Sequence, residues 1–456
     1  VSFPTFYNSW QSTWDPTFEN LGVTLNGDPK DGRAFGPYEN LVSYDPTTAT
    51  RSFAATAYYA PNAKRPNLKV LTDAHVSRVL FAARKSTEEP LTAIALSFTA
   101  HGGNYTVKAK REVILSAGTF QSPQLLELSG IGGKSTLEPL GITVRKENPN
   151  VGRNLQDHVM VPLGFQAAAG EVTREALRDP ALQAAVFAQY AQNRTGPLAT
   201  VGPAALLSLR QIINSLKDQP VAANRIRRHR RHVATDGGRG DREQYELTVR
   251  KLFDDRETPV QIFSLDGGVS PQFSASSRQI FAPLDPATNP DQYFTLFGIL
   301  EYPFSRGTVH ITSTDPKTLP AVDPNYFSDP FDRLVASAMA LHLQTLARTA
   351  PLADKLEGHG TVFQPGYEGL TASNVFDRVK KTFLTSFHPL GTCAMRPEAS
   401  GGVVDARLTV YGTTNLRVVD ASVFPLAVRS NTQSLVYAVA ERAAEWIKEA
   451  ATGHIN

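Results

Sequence analysis

The sequence predicts a mixed fold, part α/β and part α+β, and three stretches carry that expectation. Glu112–Gly118 is a β-branched run ending in small residues, and it feeds directly into a helical pattern. That is a strand–tight turn–helix unit. Short β-rich runs with brief turn signals precede it, which predicts an antiparallel meander. Residues 159–384 interleave helical and strand patterns, after which the chain closes on strand, turn and helix. The middle segment therefore lies between two pieces of one α/β domain.

Composition bounds the rest. The 456 residues allow two or three domains and a large core. Hydrophobic residues at 41% and charged residues at 20% are ordinary for a soluble globular protein. A net charge of +3 is too small to argue for nucleic acid or a membrane surface. Cys393 is the single cysteine, so no internal disulfide and no zinc-finger spacing can form. Two sequons, Asn104-Tyr105-Thr106 and Asn193-Arg194-Thr195, favour secretion. No apolar run reaches membrane-spanning length. The chain begins at Val1 with neither a basic n-region nor an apolar h-region, the expectation being a processed chain or one without its natural beginning.

In chain order, residues 1–65 are aromatic, polar and turn-rich, with Arg51–Tyr59 small and apolar enough for a buried helix. From 66 to 118 the β-rich runs are Leu68–Thr72, Val76–Phe81, Ala93–Phe98 and Tyr105–Ala109. Thr119 or Ser122 is a cap for the helix that follows, Pro123 falls in its first turn, and Gly130 suits the C′ position. Asn150–His158 is polar and carries Gly152, a functional or structural loop. Its Asp157-His158 pair reads as catalytic or as part of an ordered loop making backbone hydrogen bonds, and adjacency alone favours the loop. Helices are expected at Pro180–Gln192 and Arg333–Thr349, and strands at Gln261–Ser264, Tyr293–Leu300 and Gly307–Ile311. Near the end, Asn415–Asp420 is a strand and Asp420–Pro425 a turn. The final helix shows Leu435, Val439, Ala443 and Trp446/Ile447 on one face.

One segment does not match its surroundings. Asn224–His232 packs five arginines and two histidines into nine positions, and Gly237–Arg242 follows. A basic patch for nucleic acid is one reading. No aromatic or fold motif accompanies the charge, so the reading taken is an exposed, disordered or aberrant insertion over 222–243, with a frame or splicing error as its origin. The assigned segments are 1–65 (lid or substrate-domain segment), 66–157, 158–384 (substrate-binding domain) and 385–456 (catalytic loop and return to the first domain).

The chemistry points to the C-terminal quarter. His388 stands in a loop bounded by Pro389 and Gly391, and Asn431 stands 43 positions on at the start of the last helix, where it reads as an N-cap. The positive end of that helix would stabilise a group that becomes anionic. Asp420 ends a strand, where open α/β folds place ligand contacts. Other chemistries fit badly. The sequence has no Gly-x-Ser-x-Gly elbow, no Gly-x-x-x-x-Gly-Lys-Ser/Thr loop and no His-Glu-x-x-His. Cys393 is read as a small core residue rather than a nucleophile.

Four ordered motifs resemble the glucose–methanol–choline (GMC) flavin oxidoreductases. They are Ile114–Leu126 with Ser129–Gly132; Asn150–His158; Ser305–Gly307 with Asp323–Tyr326; and His388–Met395 with Val403–Asp405, Leu416–Ser422 and Asn431. The N-terminal part looks closest to the fungal glucose-oxidase-like branch. The resemblance implies an incomplete FAD-binding (Rossmann-like) domain with a β-meander, plus a substrate domain built on an antiparallel sheet with helices. It implies FAD as cofactor, a small-molecule alcohol as substrate, and oxygen or another electron acceptor. His388 would take the hydroxyl proton while hydride passes to the flavin, and Asn431 would hold the substrate oxygen. Some relatives carry histidine at that position. Val76, Ala117 and Gly118 would contact the adenine end, Asp420 and Ala421 the cofactor, and the backbone from Thr432 the ring. Family members open with strand, Gly-x-Gly-x-x-Gly and helix, a motif these 456 residues do not contain. The expectation that follows is an N-terminally incomplete member with poor flavin affinity. A non-redox or biosynthetic role, or an inactive remnant, stay open as alternatives.

Overall fold

The computed structural model describes residues 2–25, 35–86, 88–215, 239–254, 256–269, 284–363 and 369–452. In chain order its main strands are β1 (Gly36–Tyr38), β2 (His75–Phe81), β3 (Ala93–Ala100), β4 (Gly103–Lys108), β5 (Val113–Leu115), β6 (Arg153–Leu155), β7 (Val159–Gln166), β8 (Ala204–Leu207), β9 (Val260–Leu265), β10 (Tyr293–Leu300), β11 (Gly307–His310), β12 (Ala321–Asp323), β13 (Leu384–Thr385) and β14 (Leu416–Val418). Its main helices are α1 (Trp14–Asn20), α2 (Gly118–Leu128), α3 (Pro180–Asn193), α4 (Leu209–Ser215), α5 (Arg239–Leu252), α6 (Pro330–Ala347), α7 (Val375–Thr382) and α8 (Gln433–Thr452).

Two hydrophobic cores organise these elements. The larger lies on one face of a six-stranded antiparallel sheet ordered β1-β8-β9-β10-β7-β13. Strands β7 and β10 are apolar on both faces, as strands covered on both sides must be, and they pair along their whole length from Val159↔Leu300 to Gln166↔Tyr293. Helix α6 lies across them with Val335, Ala336, Met339, Leu343 and Leu346 fully buried. The N-terminal segment belongs to this core. Trp14 and Phe18 are buried, the Trp14 indole N–H donates to the Ala204 carbonyl (2.8 Å), and Trp10 stacks on Phe294 at 4.5 Å.

The smaller core joins the two ends of the α/β part. β5 and β14 pair in parallel, Val113↔Leu416 to Leu115↔Val418, which brings chain positions 300 residues apart side by side. Val79, Leu126, Leu390, Cys393, Val418 and Val423 fill it, and α8 covers it with Leu435, Val439, Ala443 and Trp446. The meander β2-β3-β4 packs on α2, where the Val79 N–H donates to Ser129 Oγ at 2.9 Å.

Several sequence expectations need correcting. Leu68–Thr72 forms no strand; Leu68, Val70 and Leu71 are exposed there, with no neighbouring strand to pair. Arg51–Tyr59 is not a buried helix. Ala55–Tyr59 makes one wide helical turn whose residues are exposed, with Tyr58 stacked on Tyr437 of α8 at 5.7 Å. Helix α2 starts at Gly118, before either Thr119 or Ser122 could cap it. Its N-cap is Ala117, and Pro123 therefore lies inside the helix. Gly130 does take the left-handed C′ conformation (φ 86°). Most of the Arg-rich stretch, residues 216–238, lies outside the described residues. Its last residues are ordered, since α5 starts at Arg239 and Asp241 pairs with Arg396 at 3.4 Å.

Candidate active site

The site forms where β10, β7 and β13 end together. The register that pairs Val159 with both Leu300 and Thr385 sets His158, one residue before β7, beside Glu301 on one side and Ser386 on the other. The Ser386 N–H donates to the His158 carbonyl (2.9 Å), and the chain leaving β13 then turns into the His388 loop.

That loop is fixed from several directions. Asp157 Oδ1 accepts the His388 N–H at 3.0 Å, while Oδ2 accepts the Tyr326 hydroxyl (2.5 Å) and the Thr385 hydroxyl. Leu390 and Gln156 exchange both backbone bonds. Thr119 Oγ1 donates to the Pro389 carbonyl (2.8 Å) and Gly391 N–H to the Ala421 carbonyl (3.2 Å). Gly391 has φ 96°, and a Cβ there would stand 2.5 Å from the Asn154 carbonyl oxygen, so only glycine fits.

The His388 ring is held at both nitrogens. Nε2 faces Asn431 Nδ2 at 3.1 Å, and Nδ1 faces His158 Nδ1 at 2.9 Å, the two rings being nearly perpendicular. His158 is wholly buried, and its Nδ1 also lies 3.3 Å from Glu301 Oε2. That oxygen accepts the Ser430 N–H at 2.8 Å. Burial disfavours charge throughout. It pushes His388 down to about 4. His158 falls to about 3, from burial first and His388 second, against backbone contacts at Val428 and Glu301. Glu301 is pushed up to about 8 by burial, opposed by Ser430 and the Arg429 charge. Asp157 is also raised by burial, its hydrogen bonds from Thr385, Tyr326 and the His388 N–H pulling the other way. At neutral pH both imidazoles are therefore neutral, and an imidazole in that state can accept a proton.

His388, Asn431 and Thr432 share a cavity of about 950 Å³ whose walls include Tyr38, Phe387 and Tyr437. The start of α8 opens onto it. Asn431 is not the N-cap: Thr432 immediately precedes the helix, and its carbonyl accepts the Val436 N–H at 3.0 Å. Asn431 is thereby free to turn its amide toward His388. Ser430, with φ 64°, makes that turn.

The remaining predicted contacts form a second cluster. Asp420 accepts from the Gly118 N–H (3.0 Å), the Ser122 hydroxyl (2.5 Å) and the Ser422 N–H (2.8 Å). Its oxygens are already engaged, so the carboxylate organises the turn rather than presenting itself to a ligand. Ala117 and Gly118 are half-exposed, and a Cβ on Gly118 (φ 81°) would meet no atom within 4 Å. The backbone is open to close approach there. Ala421 ties this cluster to the His388 loop through Gly391. Val76 stands apart on the meander, half-buried at a bulge, and lines neither the cavity nor the Asp420 cluster.

Sequence reasoning set His158 aside as a loop residue and missed Glu301. The signal for Glu301 was one carboxylate closing the uninterrupted apolar run Tyr293–Leu300, but its partner across the sheet is set by register alone.

A largely buried histidine paired with an exposed asparagine just before a helix, at the wall of a large cavity, is an arrangement suited to proton transfer beside a bound cofactor. The chain matches the GMC oxidoreductase family in both parts, residues 18–160 and 303–440. It is 33% identical over 451 residues to the GMC oxidoreductase family protein Mala s 12 of Malassezia sympodialis, covering 95% of this chain and 66% of that protein. It is 35% identical over 440 residues to the dehydrogenase citC of Monascus ruber, covering 92% of this chain and 67% of that protein. Among solved structures, an FAD-dependent oxidoreductase from Chaetomium thermophilum superposes with TM-score 0.83 at 23% identity, over 98% of this chain and 73% of that one. A fungal aryl-alcohol oxidase gives TM-score 0.78 at 24% identity, over 97% and 71%.

The chain belongs to the GMC oxidoreductase family, whose cofactor is FAD. It spans about two thirds of the length of the relatives it matches. The residues present fit the flavin at two places. The His388–Asn431 cavity at the positive end of α8 suits the ring, and the open backbone at Ala117–Gly118 suits close approach of another part of the cofactor.

Proposed function

We propose that this chain carries the proton-transfer half of an FAD-dependent oxidation of an alcohol (CH–OH) donor. The observation behind this reading is the 3.1 Å pairing of His388 Nε2 with Asn431 Nδ2 at the wall of the 950 Å³ cavity. A substrate hydroxyl that displaces this direct contact gives its proton to Nε2 and keeps its oxygen against the Asn431 amide N–H. Holding that oxygen on two sides fixes the direction of the carbon-bound hydrogen, a positioning effect. Bound FAD supplies the two-electron acceptor. His388, Asn431 and the N–H groups at the start of α8 would face its ring, while the Ala117–Gly118 and Asp420–Ala421 backbone would support the rest.

The aromatic wall of the cavity, with Tyr38, Phe53, Phe387 and Tyr437, favours a donor with an apolar or aromatic body. Oxygen or another small acceptor then closes the cycle. The sequons at Asn104 and Asn193 lie on exposed positions, which supports a secreted protein.

The test is turnover of a panel of primary alcohols by the purified chain, supplied with FAD and an artificial electron acceptor. His388→Ala removes the base and should lower kcat by about 10²–10⁴-fold while flavin uptake, read by absorbance, stays the same. Unchanged turnover in that variant refutes the assignment.

A further inference from the structure

We propose that Glu301, acting through His158, is a positioning residue that selects which nitrogen of His388 carries the ring proton. The inference rests on the reading of His388 as the base.

The geometry leaves little freedom. Glu301 Oε2 touches both arms of the site: it accepts the Ser430 N–H at 2.8 Å, next to Asn431, and it lies 3.3 Å from the same His158 nitrogen that meets His388 at 2.9 Å. Two neutral imidazoles that meet through their Nδ1 atoms share one proton, so one ring donates and the other accepts.

When Glu301 is neutral, its hydroxyl donates to His158 Nδ1. The single lone pair of that nitrogen is then shared by the Glu301 hydroxyl and the shorter contact from His388 Nδ1–H, the His158 proton sits on its Nε2, and His388 Nε2 presents a lone pair. The lone pair matches the Asn431 Nδ2 donor at 3.1 Å. When Glu301 ionises, its proton leaves to solvent and Oε2 can only accept. The His158 proton then resides on Nδ1, His388 Nδ1 must accept it, and the His388 proton moves to Nε2. Each ring still carries one proton, but the nitrogen facing the cavity is no longer basic.

Burial favours the neutral carboxyl. Glu301 is fully buried, and its Oε1 has no hydrogen-bond partner, a position far costlier for an ionised oxygen than for a neutral one. The charged and titratable groups around it are His158, Arg429 from the loop before α8, Tyr302 next in the chain and Tyr38 on β1. Of these, only the Arg429 charge favours ionisation. It is divided with Glu257, 3.8 Å away. The ionisation at about pH 8 falls within the working range of a titration.

The experiment is ¹⁵N–¹H NMR of histidine-labelled protein from about pH 6 to about pH 10, with His388 assigned by difference against His388→Ala. In the parent, the His388 proton is expected on Nδ1 at low pH and on Nε2 at high pH. In Glu301→Gln, the side chain keeps accepting from Ser430 and cannot ionise, so His388 should show one tautomer across the range. A parent tautomer that does not change with pH, or the same change in Glu301→Gln, overturns the proposal. The parent titration alone tests it should the variant not fold. This readout is independent of turnover, so it separates the proposal from the assignment of His388 as base, which His388→Ala decides.

Discussion

Asp157→Ala should loosen the His388 loop more than any other single truncation near it. The carboxylate is buried and accepts three donors: the His388 N–H at 3.0 Å, the Tyr326 hydroxyl at 2.5 Å and the Thr385 hydroxyl. Removing it leaves all three without a partner. Each buried donor left unmade costs about 1–3 kcal/mol, but the two hydroxyls can swing toward new acceptors while the His388 N–H cannot. The expected loss is therefore about 3–5 kcal/mol. At about 2.1 cal/mol/K of unfolding entropy per residue, a chain of 456 residues shifts by roughly 1 °C per kcal/mol, so the melting temperature falls by about 3–5 °C. Tyr326→Phe removes one donor and should cost about 1 kcal/mol. The double variant should cost less than the sum, because the two changes share one bond. Urea denaturation followed by fluorescence measures all three. An Asp157→Ala variant within about 0.5 kcal/mol of the parent would show that the loop is held by something other than this carboxylate.

Gly391→Ala places a Cβ 2.5 Å from the Asn154 carbonyl oxygen in a left-handed conformation. A loss of about 3–5 kcal/mol is expected in the same denaturation assay, and a neutral result would mean the loop can open without cost. Glu301 predicts a pH dependence of stability. Its folded pKa is raised above the unfolded value of 4.5 to about 8, so the folded chain binds more protons between those limits. Its contribution is fully present below about 4.5 and is lost as pH rises through about 8. Relative to Glu301→Gln, the parent should lose stability across that window, by about 5 kcal/mol at most, and parallel pH–stability curves would refute it. The two histidines act oppositely. Their depressed pKa values give stability that is present above about 6.5 and is lost as pH falls through about 4.

The order of elements and the family were legible in the chain, and His388 stood out there as the candidate proton acceptor. Hydrophobic patterning located β9, β10, β11, α3 and α6 to within a few residues, and β10 and α6 bury long apolar stretches whose pattern is local; β7 was not read as a strand. Four ordered motifs located the GMC fold, and the loop around His388 announced itself through Pro389 and Gly391. What failed locally had no such pattern. Leu68–Thr72 has strand composition but no neighbour, and Arg51–Tyr59 has core composition but lies outside. Asn431 looked like a cap because capping and amide donation draw on the same residue type.

His388 was visible from sequence, but what holds its far side was not. Glu301 and His158 are 143 positions apart and share no motif. They meet because β7 and β10 pair in one register, and a slip of one residue would send either side chain to the opposite face. Residue types along a chain record which groups can do chemistry. Strand register decides which of them touch, and in a buried site that contact sets where each proton sits.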